Sequence, residues 1–195
     1  MSAPSSLHPA LVVLLPTLLF VILPFWVSNF CGGRATLYTS FPVWRFRNIP
    51  DLTDKVAIVT GANTGIGFIS ARELARNGAK VVVAARSEER GKDAVKRIQE
   101  ALKDVPGGAS RVEFLKLDLG SFSSVRSFAW QFKGRYSKLD ILLLNAGIMA
   151  LPQPELTVDG FESQIGVNHL GHFLLTKLLT PMLKNTKGRV VSVSR

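Results

Sequence analysis

Val56-Ala57-Ile58-Val59-Thr60-Gly61-Ala62-Asn63-Thr64-Gly65-Ile66-Gly67 is the stretch on which the fold turns. Val56 to Thr60 is apolar at nearly every position, as a strand covered on both faces of a parallel sheet requires. A helical period follows over 66–77. Between strand and helix stand three glycines in the spacing G-x3-G-x-G, a departure from the commoner G-x-G-x-x-G. Glycines here let the backbone turn tightly, approach a pyrophosphate and pack the helix on its strand, while the helix start offers free N–H groups and positive dipole to phosphates. Alone, such glycines describe an ordinary turn. Placed between a buried strand and a helix, they point to dinucleotide binding.

Working outward, apolar runs at 80–85, 112–117, 139–144 and 189–194 predict four further strands. Helices are predicted between them. Ser87 followed by Glu88 and Glu89 is an N-cap with first-turn acids, after which Ala94, Ile98, Ala101 and Leu102 share a face. Ser121 opens a second helix with Val125, Phe128, Ala129 and Phe132 as its buried stripe, and 160–183 holds a third. Strands alternating with helices predict an α/β fold, a Rossmann-type doubly wound parallel sheet of five strands in the order 3-2-1-4-5. The end of the second strand selects the dinucleotide: an acid there meets a ribose 2′-OH, an arginine a 2′-phosphate. The sequence reads Val83-Ala84-Ala85-Arg86-Ser87, with no acid and with Arg86 in that place, so NADP(H) is predicted over NAD. A cation at a helix start gains nothing from the dipole, which favours a ligand-binding role over a merely solvated one.

The first quarter of the chain is of another kind. Residues 1–33 carry no Asp, Glu, Lys or Arg, and the run from Leu11 to Phe30 is interrupted by few polar residues and by Pro16 and Pro24. Twenty helical residues span roughly 30 Å, the thickness of a bilayer's hydrocarbon core. Pro is tolerated in membrane helices, and Trp26 suits an interfacial position. A cleaved signal peptide would call for a basic n-region, and residues 1–10 hold no Lys or Arg. The prediction is an N-terminal transmembrane helix in 1–33 that meets membrane lipid through Leu11 to Phe30, then a membrane-proximal linker at 34–50 and the Rossmann domain at 51–195. Arg34, Arg45 and Arg47 follow the apolar run, so the positive-inside bias places the domain in the cytosol. Cys31 is the one cysteine, which excludes an internal disulfide framework. Net charge is +10, with +3 in 1–50, +2 in 51–162 and +5 in 163–195. No basic stripe interleaved with aromatics forms on one module, and nucleic acid is not an expected partner.

Five segments in order carry a family resemblance: TGANTGIG at 60–67, Asp118-Leu119 after the third strand, Asn145-Ala146-Gly147 after the fourth, GFESQIGVNHLGHFLLTKLL at 160–179, and RVVSVS at 189–194. Together they resemble the short-chain dehydrogenase/reductase family, most closely its membrane-anchored, retinol-dehydrogenase-like branch. The resemblance implies that Gly61, Asn63, Thr64, Gly65, Ile66 and Gly67 cradle the cofactor phosphates. It implies that Asp118 and Leu119 line the adenine pocket and that Asn145, Ala146 and Gly147 support the adenine-ribose side and the central sheet. Leu144 stands where the family often has a first Asn. Asn168 matches the helix asparagine that helps hold a water in the family's proton relay; on composition alone it is a polar residue kinking a buried helix. His169 and His172 lack a third ligand at a metal-binding spacing and are read as packing residues, with no metal expected.

The resemblance further implies hydride transfer at lipophilic alcohols or ketones, at a membrane such as the endoplasmic reticulum's. In that family a Tyr-x-x-x-Lys pair supplies the general base and a serine orients the substrate oxygen. Neither Tyr38, followed four residues on by Pro42, nor Tyr136, followed by Asp140, begins that pair, and Arg195 stands where the catalytic serine is expected after Ser194. The expectation is therefore a C-terminally truncated member, without turnover of its own and marginally stable along its last strand. The alternatives are a non-catalytic, membrane-tethered NADP-binding or interaction module and a non-functional product.

Overall fold

The computed structural model describes residues 44–150 and 152–193. They fall, from Phe46 on, within one unit, Phe46–Arg195. The transmembrane prediction and most of the linker lie outside the described residues, as do Tyr38, Ser194 and Arg195. Among the described residues no helix is long and apolar enough to cross a membrane.

A 3-10 turn, Phe46–Asn48, precedes β1 (Val56–Thr60). There follow α1 (Gly65–Arg76), β2 (Lys80–Ala85), α2 (Glu88–Ala101), a 3-10 turn Ala109–Arg111, β3 (Val112–Lys116), α3 (Phe122–Arg135) and β4 (Ile141–Leu144). A short α4 (Ser163–Ile165) runs through a π-helical segment, Gly166–Gly171, into α5 (His172–Thr186), and β5 (Arg189–Ser192) ends the described sheet. All four strand pairings are parallel and the order is β3-β2-β1-β4-β5, as predicted.

Strand alternation explains the two cores. Side chains two apart share a face, so Ile58, Val82, Ala84 and Leu142 meet Phe128 and Phe132 of α3 and Leu175 and Leu179 of α5. Ala57, Val59, Val81 and Val83 point the other way, onto Ala71 and Ala75 of α1 and Ile98 of α2. β1, in the middle, is buried at all five positions.

The sequence expectations need local correction. Ala101 is exposed at the end of α2, and Gly91, Ala94, Val95 and Ile98 form the buried face instead. Gly91 is among them because α2 lies directly on the Phe114 ring, leaving no room for a Cβ. β4 is assigned from Ile141, although the backbone of Asp140 already donates to Val56 O and accepts from Arg189 N, and its carboxylate accepts from Val56 N and pairs with Lys55 Nζ, both at 3.0 Å. The predicted helix over 160–183 begins at Ser163 and widens into a π turn around Asn168 before regaining α geometry.

Candidate functional site

At the carboxyl ends of the strands, the order reverses between β1 and β4, the position at which open α/β sheets hold their ligands. A cleft of about 420 Å³ opens there, within the size range of small-molecule sites. It is lined by Thr60, Gly61, Asn63, Thr64 and Gly65 after β1, by Arg86, Ser87 and Arg90 after β2, by Asp118 and Leu119 after β3, and by Asn145, Ala146 and Gly147 after β4. Three predicted residues do not line it. Ile66 is exposed on the outer side of α1, Gly67 is buried behind the turn, and Asn168 stands apart on the π segment.

Two glycines of the turn answer to close packing. Gly61 has φ +65, and a Cβ would meet Ala146 Cα at 2.8 Å. At Gly67 a Cβ would run into the Asn145 amide and lie 2.6 Å from Gly61 O. Gly65 differs: with φ +57, a Cβ there would meet nothing within 4 Å, so its space opens into the cleft.

The helix starts divide in the same way. Ser87 caps α2 by accepting from Arg90 N, Ser121 caps α3 by accepting from Ser124 N, and Glu162 caps α4 with both carboxylate oxygens. The N–H groups of Gln164 and Ile165 hold the Glu162 carboxyl below the usual carboxylate range. Thr64 starts α1 with no side-chain cap. The helix that faces the cleft thus keeps its first N–H groups and its positive dipole for an anion. Beside it, Arg86 and Arg90 are exposed, and neither makes an ion pair among the described residues. Arg90 was not singled out in the sequence; its place in the first turn of α2, just after the Ser87 cap, was the available signal.

Thr60 and Asn145 build the cleft floor. Thr60 Oγ1 accepts from Asn145 N at 2.9 Å and from Ala146 N at 3.0 Å, and lies 2.9 Å from His172 Nε2. Asn145 Nδ2 donates to Thr60 O at 3.0 Å, which fixes the amide's orientation because a carbonyl only accepts. Its Oδ1 is left buried with no partner, although the residue is only 3% exposed. A buried acceptor without a donor costs roughly 1–3 kcal/mol. Asp118 Oδ1 accepts from Gly120 N at 2.9 Å, which shapes the turn on the far wall.

Asn168 uses both ends of its amide on one residue: Oδ1 accepts from Ile148 N and Nδ2 donates to Ile148 O, each at 2.8 Å. The π turn thereby holds the loop after β4. The histidines part company. His169 is exposed beside Phe173 and is not a packing residue, whereas His172 is buried and hydrogen-bonded. Among the described residues no three His, Cys, Asp or Glu side chains gather into a metal-binding group. Tyr136 follows α3 and donates to Glu113 Oε1 at 2.9 Å; burial, then this carboxylate, push its phenol far above the ordinary range. It is remote from the cleft and is no general base.

Comparison with known proteins agrees with this geometry. The family model described as short chain dehydrogenase matches residues 55–195. An uncharacterized oxidoreductase of Schizosaccharomyces pombe is 49% identical over 145 residues, covering 74% of this chain and 41% of that protein. Human retinol dehydrogenase 11 is 42% identical over 189 residues, 96% of this chain and 54% of the relative. The chain thus spans about half the length of the curated relatives it matches. Among solved structures, an uncharacterized protein from Mycobacterium paratuberculosis is 46% identical with a TM-score of 0.61, over 71% of this chain and 46% of that one. A metagenomic short-chain oxidoreductase in complex with NADP is 30% identical with a TM-score of 0.63, over 74% and 63%. With the sheet order, the glycine turn and the cleft at the strand reversal, these matches establish that the chain belongs to the short chain dehydrogenase family.

Proposed function

We propose that this chain supplies the NADP(H)-binding part of an oxidoreductase acting on lipophilic alcohols or ketones, in the manner of retinol dehydrogenases. The observation that carries the cofactor reading is the pairing of an uncapped α1 with two unpaired arginines across one cleft. The NADP in the related metagenomic structure supports it. Asn63, Thr64 and Gly65 would hold the pyrophosphate through the helix start, Arg86 the 2′-phosphate, and Asp118 and Leu119 the adenine. When bound, the dinucleotide supplies or takes the hydride.

Gly67 serves behind the wall, shaping the turn, and Asn168 holds the cleft-lining loop at Ile148. Leu11 to Phe30 would anchor the protein in a membrane such as that of the endoplasmic reticulum, with the Rossmann domain cytosolic. The similarity to human retinol dehydrogenase 11 supports a lipophilic substrate taken up at that surface.

Fluorescence titration of the full chain in mild detergent tests the cofactor reading. NADPH should bind more tightly than NADH, and Arg86→Ala should weaken NADPH by roughly ten- to a hundredfold, the loss of a charge-assisted hydrogen bond, while leaving NADH unchanged. Tighter NADH binding would sink the assignment of Arg86.

A further inference from the structure

His172 is absorbed neither by the cleft lining nor by the folding core. It is 6% exposed, the first residue of α5, and both ring nitrogens are engaged. Nδ1 lies 3.1 Å from Asn168 O. A carbonyl oxygen can only accept, so Nδ1 carries a proton. Nε2 lies 2.9 Å from Thr60 Oγ1. Thr60 has one proton and two lone pairs. The amides of Asn145 and Ala146 take the lone pairs, at 2.9 and 3.0 Å. The hydroxyl proton then goes to Nε2, in preference to Leu143 O at the longer 3.4 Å. Every donor and acceptor in the group is satisfied in one arrangement only.

We infer that His172 is a positioning residue, held as the neutral Nδ1–H tautomer, which takes the Thr60 proton and so aims both Thr60 lone pairs at the amides of the Asn145-Ala146 turn. It joins three parts of the sheet's reversal point: the end of β1, the turn after β4 and the π segment. An imidazolium would aim an N–H at a hydroxyl whose lone pairs are both filled, and the turn would have to give way. Burial holds the ring below the ordinary histidine range, with His169 adding to this and the Asn168 carbonyl opposing it. This role rests on the NADP(H) reading only in that the turn it holds is a wall of the cofactor cleft.

Long-range 1H–15N spectra of the full chain, labelled at histidine, read the tautomer directly. The expected result at pH 7 is a protonated Nδ1 and a bare Nε2 at His172; an Nε2–H tautomer or an imidazolium would overturn the inference. Two variants then separate hydrogen bonding from packing. His172→Phe should weaken NADPH binding about tenfold and speed amide exchange at Asn145 and Ala146 by a similar factor, the size of one lost buried hydrogen bond. His172→Gln, which keeps an acceptor near Thr60, should restore both to within about threefold of wild type. Equal defects in a folded Phe and Gln variant, or unchanged exchange in the Phe variant, would also overturn it. Should the Phe variant fail to fold, the wild-type spectrum and the Gln variant decide. Should the wild-type chain not bind NADPH, the proposed function fails, and the tautomer and exchange results still judge His172.

Discussion

β1 and β5 are both valine-bearing strands of one parallel sheet, yet they live in different surroundings. Ile58 of β1 is 0% exposed, whereas Val190 and Val191 of β5 stand 46% and 45% exposed. β1 pairs on both edges, with β2 and β4, and is covered on both faces. Among the described residues β5 pairs with β4 alone, and it is exposed at all four positions. Apolar sequence therefore marks a strand, while neighbours decide whether it is core. The cofactor cleft opens at the end of β1, where neighbours are most complete.

Truncating each strand in turn gives the largest expected contrast. Ile58→Ala should cost about 4 kcal/mol in a urea melt, from lost transfer energy and the cavity left behind. Val191→Ala should cost no more than about 0.5 kcal/mol, as a surface change does. Equal losses would mean that β5 is buried in solution. Next in size is Gly67→Val, expected to cost about 2 kcal/mol as its side chain collides with the Asn145 amide and the Gly61 carbonyl. It should abolish NADPH binding in a fluorescence titration, since both neighbours belong to the cleft; retained binding would mean that the turn can yield. A replacement of Val190 by Lys should leave the melt nearly unchanged but reduce self-association in sedimentation, because a charge blunts an exposed strand edge.

The smallest effect tests the seam between the two regions. His172 is held below the ordinary histidine value near 6.5 in the folded state. The unfolded chain therefore binds the proton more readily, and stability present above about pH 6.5 is lost progressively as pH falls through that value. His172→Gln should flatten that part of the melting profile. An unchanged slope would place the ring's titration elsewhere.

Much of this was legible in the residues. Strand order, the buried stripe of α3 and the Ser87 cap follow from period-2 and period-3.6 patterns and from local capping chemistry. Among the site residues, Gly61, Gly65, Arg86, Asp118 and Asn145 do converge on one cleft. Long-range satisfaction was not legible. That Thr60 and His172 meet across 112 positions, or that Asn168 spends its whole amide on Ile148, is set by tertiary packing, and neither residue's spacing announces it. Ala101 misled because helical period alone assigns a face, whereas the helix had reached its exposed end.

The position of β1 also orders events in time. Its partner β2 follows after one helix, but Ile58 meets Leu142 across the other edge, more than eighty residues later. At ribosomal speeds of roughly 5–20 residues per second, that edge waits on the order of ten seconds for β4. During that interval a largely apolar strand is half-paired, a template for wrong partners. The cleft that will take the dinucleotide lies at this same late-closing seam, so a nascent chain acquires its binding site only when its most vulnerable edge is sealed.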